Sequence, residues 1–260
     1  MSDKTSKKAS IRRKYGDSPL AEALVEVYFG QSKSDFTIWG TFYDKVKTIY
    51  PEKEQTNFPS VKGTVEQGGT NNAQISLEPM MRFSRSDRSQ LVQLTSNFIT
   101  VNQLKPYCGY EKFRKDTENV LRTFITVASP EATNRIGVRY INRIVIPGLR
   151  FDLSTYFKFM PQIPVEVTED IRGVVLQVQF SPKNNRHLIT ASLRSDIASE
   201  ELGSVFFLDI YDILEVNNES NLGYILEVID EAHDNIEGVF EGFITAKSRK
   251  LFQEVKDNER

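Results

Sequence analysis

Apolar and polar positions alternate with period two in several short stretches of the chain and recur every three or four residues in others. In "SPLAEALVEVYFG", Ala23, Val25, Val27 and Phe29 share one side of an extended chain and Glu22, Glu26 and Tyr28 share the other. This predicts a strand, ended by Gly30. "SDFTIWGTFYDKVKTIYP" predicts a helix, because Phe36, Trp39, Phe42, Tyr43, Val46 and Ile49 fall at helical spacing. Ser34 or Asp35 is placed to cap it and Pro51 stops it. Residues 51–72 show no period and read as a loop. "QISLEPMMRFSRSDRSQLVQLTSNFITVNQL" then carries three short strands with polar turns at Ser86–Arg88 and Thr95–Asn97, a tight meander. A second helix is expected over about 110–128, with Phe113, Val120, Leu121, Phe124 and Val127 inward and Pro130 closing it.

The second half is again rich in strands: "NRIGVRYINRIVIP", "RGVVLQVQFSP", "RHLITASLRS" and "SVFFLDIYDILEV". The polar turn "PKNNRH" makes a hairpin of the middle pair, and residues 147–164 read as a connection with about one helical turn. From Leu222, an apolar stripe runs through Ile225, Leu226, Ile229, His233, Ile236, Val239, Phe240 and Phe243. It predicts a helix of about 30 residues, roughly 45 Å long. Such a helix would lie across the sheet, with its C-terminal part held by a partner or projecting. No period recurs in residue identity, which excludes solenoids and propellers. Short turns between successive strands favour antiparallel pairing. The expected fold class is therefore α+β: a curved, mostly antiparallel sheet of about eight strands packed by three helices, the last one long.

Composition narrows the class. The 260 residues, 39% hydrophobic and 26% charged, suit a globular domain, and a single domain is expected over 18–260. Residues 1–17 hold Lys4, Lys7, Lys8, Arg12, Arg13 and Lys14 with little that is apolar, and read as a disordered basic tail. A basic arm that touches nucleic acid or a partner is the alternative. The formal charge of −2 gives no global field toward nucleic acid, so any anion site must be a local cluster. One cysteine fits a reducing compartment. The N-terminus has no apolar core of a secretory signal, and no apolar run is long enough to span a bilayer; a cytoplasmic location is expected.

Chemistry-bearing patterns are few. The two histidines, His187 and His233, lack partners at ligand spacing, and a lone cysteine builds no zinc knuckle. Cys108 lies in "YCG" without an activating pattern, and "VKGTVEQGGTNN" is no phosphate loop. No catalytic residue, metal ligand set or cofactor is assigned. What remains is charge on strand faces. In "RIGVRYINRIVIP", Ile136, Val138, Tyr140, Ile144 and Ile146 form an apolar side, while Arg135, Arg139 and Arg143 lie on the other. Glu22 and Glu26 share the polar side of the first strand, and Asp209, Tyr211 and Glu215 share a side of the last. In the ordinary reading these groups form cross-strand pairs on a solvated surface. In a second, the sheet curls and the arginines grip a polyphosphate or nucleic-acid backbone, with the glutamates binding magnesium. In a third, the polar side docks a protein. Gly137 suggests a bend or close approach, and Asn142, on the apolar side, must find partners for its amide.

These residues carry a resemblance. "PLAEALVEVYF", "WGTFY", "RFSRSDRSQLVQLTSNFITVNQLKPYCGYEKFR" and above all "RIGVRYINRI" resemble a sporadically distributed family of bacterial proteins of about this length. The motif is Arg-x-Gly-[Val/Leu]-Arg-Tyr-Ile-Asn-Arg-Ile. Members often have tryptophan where Gln103 stands here, a mild departure. The resemblance supplies no catalytic residues. It implies a patchily inherited accessory gene, of the kind found in toxin–antitoxin or anti-phage modules.

The expectation is thus a non-enzymatic interaction protein. It would bind a partner encoded by a neighbouring gene through the charged strand face (Arg135, Arg139, Arg143, Asp209, Tyr211, Glu22, Glu26) and the long C-terminal helix, which also offers a route to oligomers. A binder of nucleic acid or a phosphorylated ligand is the first alternative. A magnesium-dependent tunnel phosphohydrolase is the second. No membrane partner is expected.

Overall fold

The computed structural model describes residues 13–30, 36–65, 71–161, 173–182, 186–196, 203–219 and 221–255. The first half comprises β1 (Lys14–Tyr15), β2 (Leu20–Phe29), α1 (Phe36–Val46), β3 (Glu52–Val65), β4 (Asn71–Ser84), β5 (Gln90–Leu94), β6 (Phe98–Leu104) and α2 (Tyr110–Ala128). The second comprises β7 (Thr133–Ile146), a 3-10 turn at Leu153–Thr155, β8 (Val175–Phe180), β9 (Leu188–Ser195), β10 (Ser204–Glu219), α3 (Leu222–Phe243), α4 (Ala246–Leu251) and β11 (Glu254–Val255). The proposed cap at Ser34 or Asp35, residues 1–12 of the expected tail, 162–164 of the connection and the tip of "PKNNRH" lie outside the described residues.

Nine strands form one large antiparallel sheet in the order β3-β4-β5-β6-β2-β7-β10-β9-β8. The α+β class stands, but the sheet is open and is not the curved one expected. β3 and β8 are its two end strands, so the closed tunnel of the phosphohydrolase reading is not formed. Alternation specifies which side of a strand is apolar; closure depends on strand number, stagger and register, which it does not encode.

The strand beyond the expected eight is β3, in the stretch read as a loop. It pairs with β4 throughout, from Glu52 opposite Ser84 to Val65 opposite Asn71. Glu52, Lys53, Glu54, Pro59 and Gly63 mask it in the sequence, and an end strand tolerates them because one of its edges has no ladder to serve. The end of the expected tail is also ordered: Lys14 and Tyr15 pair with Val255 and Glu254 in a separate two-stranded sheet.

The chain divides into two compact units. One takes the described residues of Met1–Ala21, Val138–Ile213 and Asp230–Arg260; the other takes those of Glu22–Gly137 and Leu214–Ile229. In the second unit, α1 and α2 cover one face of the strands. Phe124 of α2 lies 5.0 Å from Phe29, and Phe42 of α1 lies 5.7 Å from Phe83 and 6.1 Å from Phe124. Each such buried ring contributes about 1.5–3 kcal/mol through removal from water.

In the first unit, the part of α3 from Asp230 on lies against the apolar side of the β7 and β10 residues of that unit, where the Tyr140 hydroxyl meets His233 Nδ1 at 2.8 Å. The helix has 22 residues, not about 30. It stops where Ile244 bridges to Phe157 and Thr245 caps α4, its hydroxyl accepting from the amides of Lys247 and Ser248. The C-terminal part of its stripe, expected to await a partner, is covered by the chain itself. Phe240 packs on Tyr15 (6.3 Å) and Phe252 (6.1 Å), and Phe243 stacks on Phe159 at 5.0 Å.

Candidate functional site

β7 keeps the alternation read from its sequence. Ile136, Val138, Tyr140, Asn142, Ile144 and Ile146 are buried, and Arg135, Arg139 and Arg143 are half-buried on the other side. The Asn142 amide donates to the Leu208 carbonyl at 3.2 Å, which satisfies a polar group on the apolar side. The arginines have different neighbours.

In the unit containing Val138–Ile213, Arg139 is held by Asp209 of β10. Its Nε donates to Oδ1 at 2.8 Å and its Nη2 to Oδ2 at 2.5 Å, a two-pronged pair. The Arg139 side chain is 42% exposed, so the pair is worth up to about 1 kcal/mol. The ring of Tyr211, next on the same side of β10, lies 5.9 Å from the guanidinium. One strand further out, Arg194 stands opposite Phe207 in register and its guanidinium sits 4.8 Å from that ring. Arg143, four residues beyond Arg139, is about 13 Å away along the strand. Among the described residues no carboxylate pairs with Arg143 or Arg194.

In the unit containing Glu22–Gly137, Arg135 lies over the ring of Tyr28, 3.7 Å from its centre. Tyr28 packs on Phe98, and Phe98 on Phe58, both at 5.0 Å. Burial pushes the Tyr28 phenol up, Glu26 nearby adds to this, and Arg135 opposes it. Glu22 accepts a 2.6 Å hydrogen bond from Asn102, whose own oxygen accepts from Thr100 (2.8 Å) and Gln93 (3.2 Å). Glu22 and Glu26 stand about 13 Å apart along β2, whereas ligands of one magnesium lie about 2 Å from it. They do not form a joint site, and among the described residues no cluster of three or more metal-ligating side chains occurs. Glu215 is exposed at the far end of β10.

Two polar networks escaped the sequence reading. The first is buried beneath α3. His187 Nδ1 donates to Asp212 Oδ1 at 2.5 Å, Asn235 Nδ2 donates to Asp212 Oδ2 at 2.8 Å, and Glu231 lies 3.4 Å from His187 Nε2. Burial pulls the His187 pKa down, but the hydrogen bond and charge of Asp212, joined by Glu231, outweigh it and leave the pKa raised. A signal was present: Asp212 interrupts the apolar row Phe206, Leu208, Ile210, Leu214, Val216 of β10.

The second joins Tyr50, Gln90, Gln103 and Asp116. Gln90 accepts from the Tyr50 hydroxyl and donates to Gln103 at 3.1 Å, and Arg85 and Lys112 both bind Asp116. Burial pushes Tyr50 up to about 12. Gln90 and Gln103 face each other in register, so two glutamines on apolar rows marked the spot. Cys108 lies against Gln103 Oε1 at 3.4 Å, and burial raises its thiol pKa, the wrong direction for an active thiolate.

Among the described residues no helix is long and apolar enough to cross a membrane. No protein-family model matches the chain, and no curated protein matches it.

Proposed function

We propose that this chain is a non-enzymatic interaction protein that docks a partner protein on the side of β7, β9 and β10 opposite α3. The observation that supports this most is the compensated Arg139: a guanidinium already bound to Asp209 beside Tyr211, with Arg194 resting on Phe207 one strand away. Arginine and aromatic side chains held by neighbours lose little freedom on binding, and these residue types dominate protein contact surfaces. The toxin–antitoxin or anti-phage setting rests on the family resemblance alone, as does a partner from a neighbouring gene.

The test is co-expression with the products of adjacent genes, followed by affinity capture and titration of the purified pair. A complex that survives about 0.5 M salt and weakens at least ten-fold in Tyr211→Ala supports the proposal. A pair unaffected by Tyr211→Ala and Phe207→Ala sinks it. One observation favours a second reading, backbone binding to nucleic acid: Arg143 and Arg194 have no paired carboxylate among the described residues. In that case affinity for an oligonucleotide falls steeply with salt and falls again in Arg143→Ala.

A further inference from the structure

The two end strands of the open sheet are built differently. β3 carries Glu52, Lys53, Glu54 and Pro59, residues that keep an edge from recruiting another strand. β8 reads Val-Leu-Gln-Val-Gln-Phe over Val175–Phe180, with no charge, proline or glycine, and Val175 is 85% exposed. Register identifies its free backbone groups. β8 runs antiparallel to β9 with Val178 opposite Ala191, and the Ser195 amide donates to the Val174 carbonyl at 2.9 Å. Hydrogen-bonded pairs recur at every second residue of an antiparallel ladder. Leu176, Val178 and Phe180 therefore bond to β9, and the N–H and C=O groups of Val175, Gln177 and Gln179 point outward. Among the described residues no strand takes them up.

We propose that β8 is a homodimer edge, to which a second copy of this chain adds its own β8 antiparallel about a two-fold axis at Gln177. The strand's chemistry selects a second copy. An uncharged strand brings no like charge against itself in any register, whereas β3 carries Glu52, Lys53 and Glu54 at one end. A two-fold axis normal to the sheet also keeps each side of the strand on its own side. Gln177 then faces its counterpart on the polar side, and Leu176 faces the counterpart of Val178 on the half-buried apolar side. A pair of six-residue strands alone buries less than the roughly 1,200 Å² of a standard interface, so the dimer is of the weak, concentration-dependent class.

Sedimentation of the full chain from about 1 to about 200 µM tests this. The mass is expected to rise from one copy toward two over that range. Gln177→Pro deletes an outward N–H and the exposed 3.3 Å hydrogen bond that Ser192 Oγ donates to Gln177 Oε1, losses an end strand tolerates. It is expected to keep the parent's thermal midpoint in dilute solution and to remain monomeric throughout. Gln177→Lys, which sets like charges across the axis, weakens association at least ten-fold, and Gln177→Cys forms a disulfide with its counterpart under mild oxidant. A parent that is monomeric at every concentration overturns the proposal. So does a dimer that persists in Gln177→Lys, or a β8 edge occupied by a different protein in preference to a second copy. None of these results depends on Tyr211→Ala, so the two proposals fail separately.

Discussion

Replacing His187 by phenylalanine removes a donor from a carboxylate that has no access to water. Asp212 is fully buried, and its two oxygens are served by His187 and Asn235. Breaking such a buried pair by deleting one partner costs about 3–5 kcal/mol, because the remaining charge keeps its desolvation penalty and loses its compensation. For a chain of this size a change of 1 kcal/mol moves the thermal midpoint by about 2–4 °C, so a fall of roughly 6–20 °C is expected. A thermal melt measures that fall, and urea unfolding of the parent, His187→Phe, Asp212→Leu and the double variant measures the free energies. Removing both charged groups takes away the unpaired carboxylate, so the double variant should be less destabilised than the sum of the singles.

The same pair predicts a pH dependence. His187 is shifted upward in the folded protein, so the folded state holds its proton more tightly than the unfolded chain, where imidazole titrates near 6.5. The stabilisation is complete below that value and is lost as pH rises through the higher folded pKa. The stability gap between parent and His187→Gln should therefore be widest below about pH 6.5 and shrink as pH rises above it. A gap independent of pH, or a double variant no better than the sum of its singles, refutes the reasoning.

Two further outcomes follow from the same structure. Gly203 has φ +78°, and a Cβ there would stand 2.4 Å from the Ile146 carbonyl oxygen, so Gly203→Ala should destabilise by roughly 2–4 kcal/mol in urea unfolding. Arg139→Ala and Asp209→Ala should each cost less than about 1 kcal/mol of stability, with a coupling no larger in a double-mutant cycle, because the pair is open to water.

How far the sequence led depends on what kind of signal a feature leaves. The β7 arginines were legible because alternation alone places them, and α2 because its apolar spacing holds over its full length. Their partners were not legible: Arg139 meets Asp209 only because β7 lies beside β10 in the sheet, and strand order leaves no local trace. β3 was hidden by the charges and proline that suit an end strand. The end of α3 was overshot although the apolar stripe itself stops at Phe243; the break is made by Thr245, a cap whose hydroxyl turns to the next helix. The buried histidine–aspartate pair joins residues 25 apart, and only the misplaced carboxylate in the row of β10 announced it.

The state of Arg139 also weighs the functional readings against each other. A phosphate approaching that guanidinium meets Asp209 on its far side. Two unit charges about 5 Å apart repel by about 1–3 kcal/mol at effective dielectric constants between 80 and 20. That repulsion cancels much of what one further contact to the guanidinium supplies, unless Asp209 swings away and gives up its own pair. A protein surface faces no such penalty. It can pack an apolar or aromatic side chain against Tyr211 and Phe207 and hydrogen-bond to the outer edge of the ion pair while leaving the pair whole. The opposing charges then act as a fixed dipole that selects orientation. Phosphate binding has to rest instead on Arg143 and Arg194. This is why the salt dependence of binding and the loss on Tyr211→Ala must move in opposite ways under the two readings.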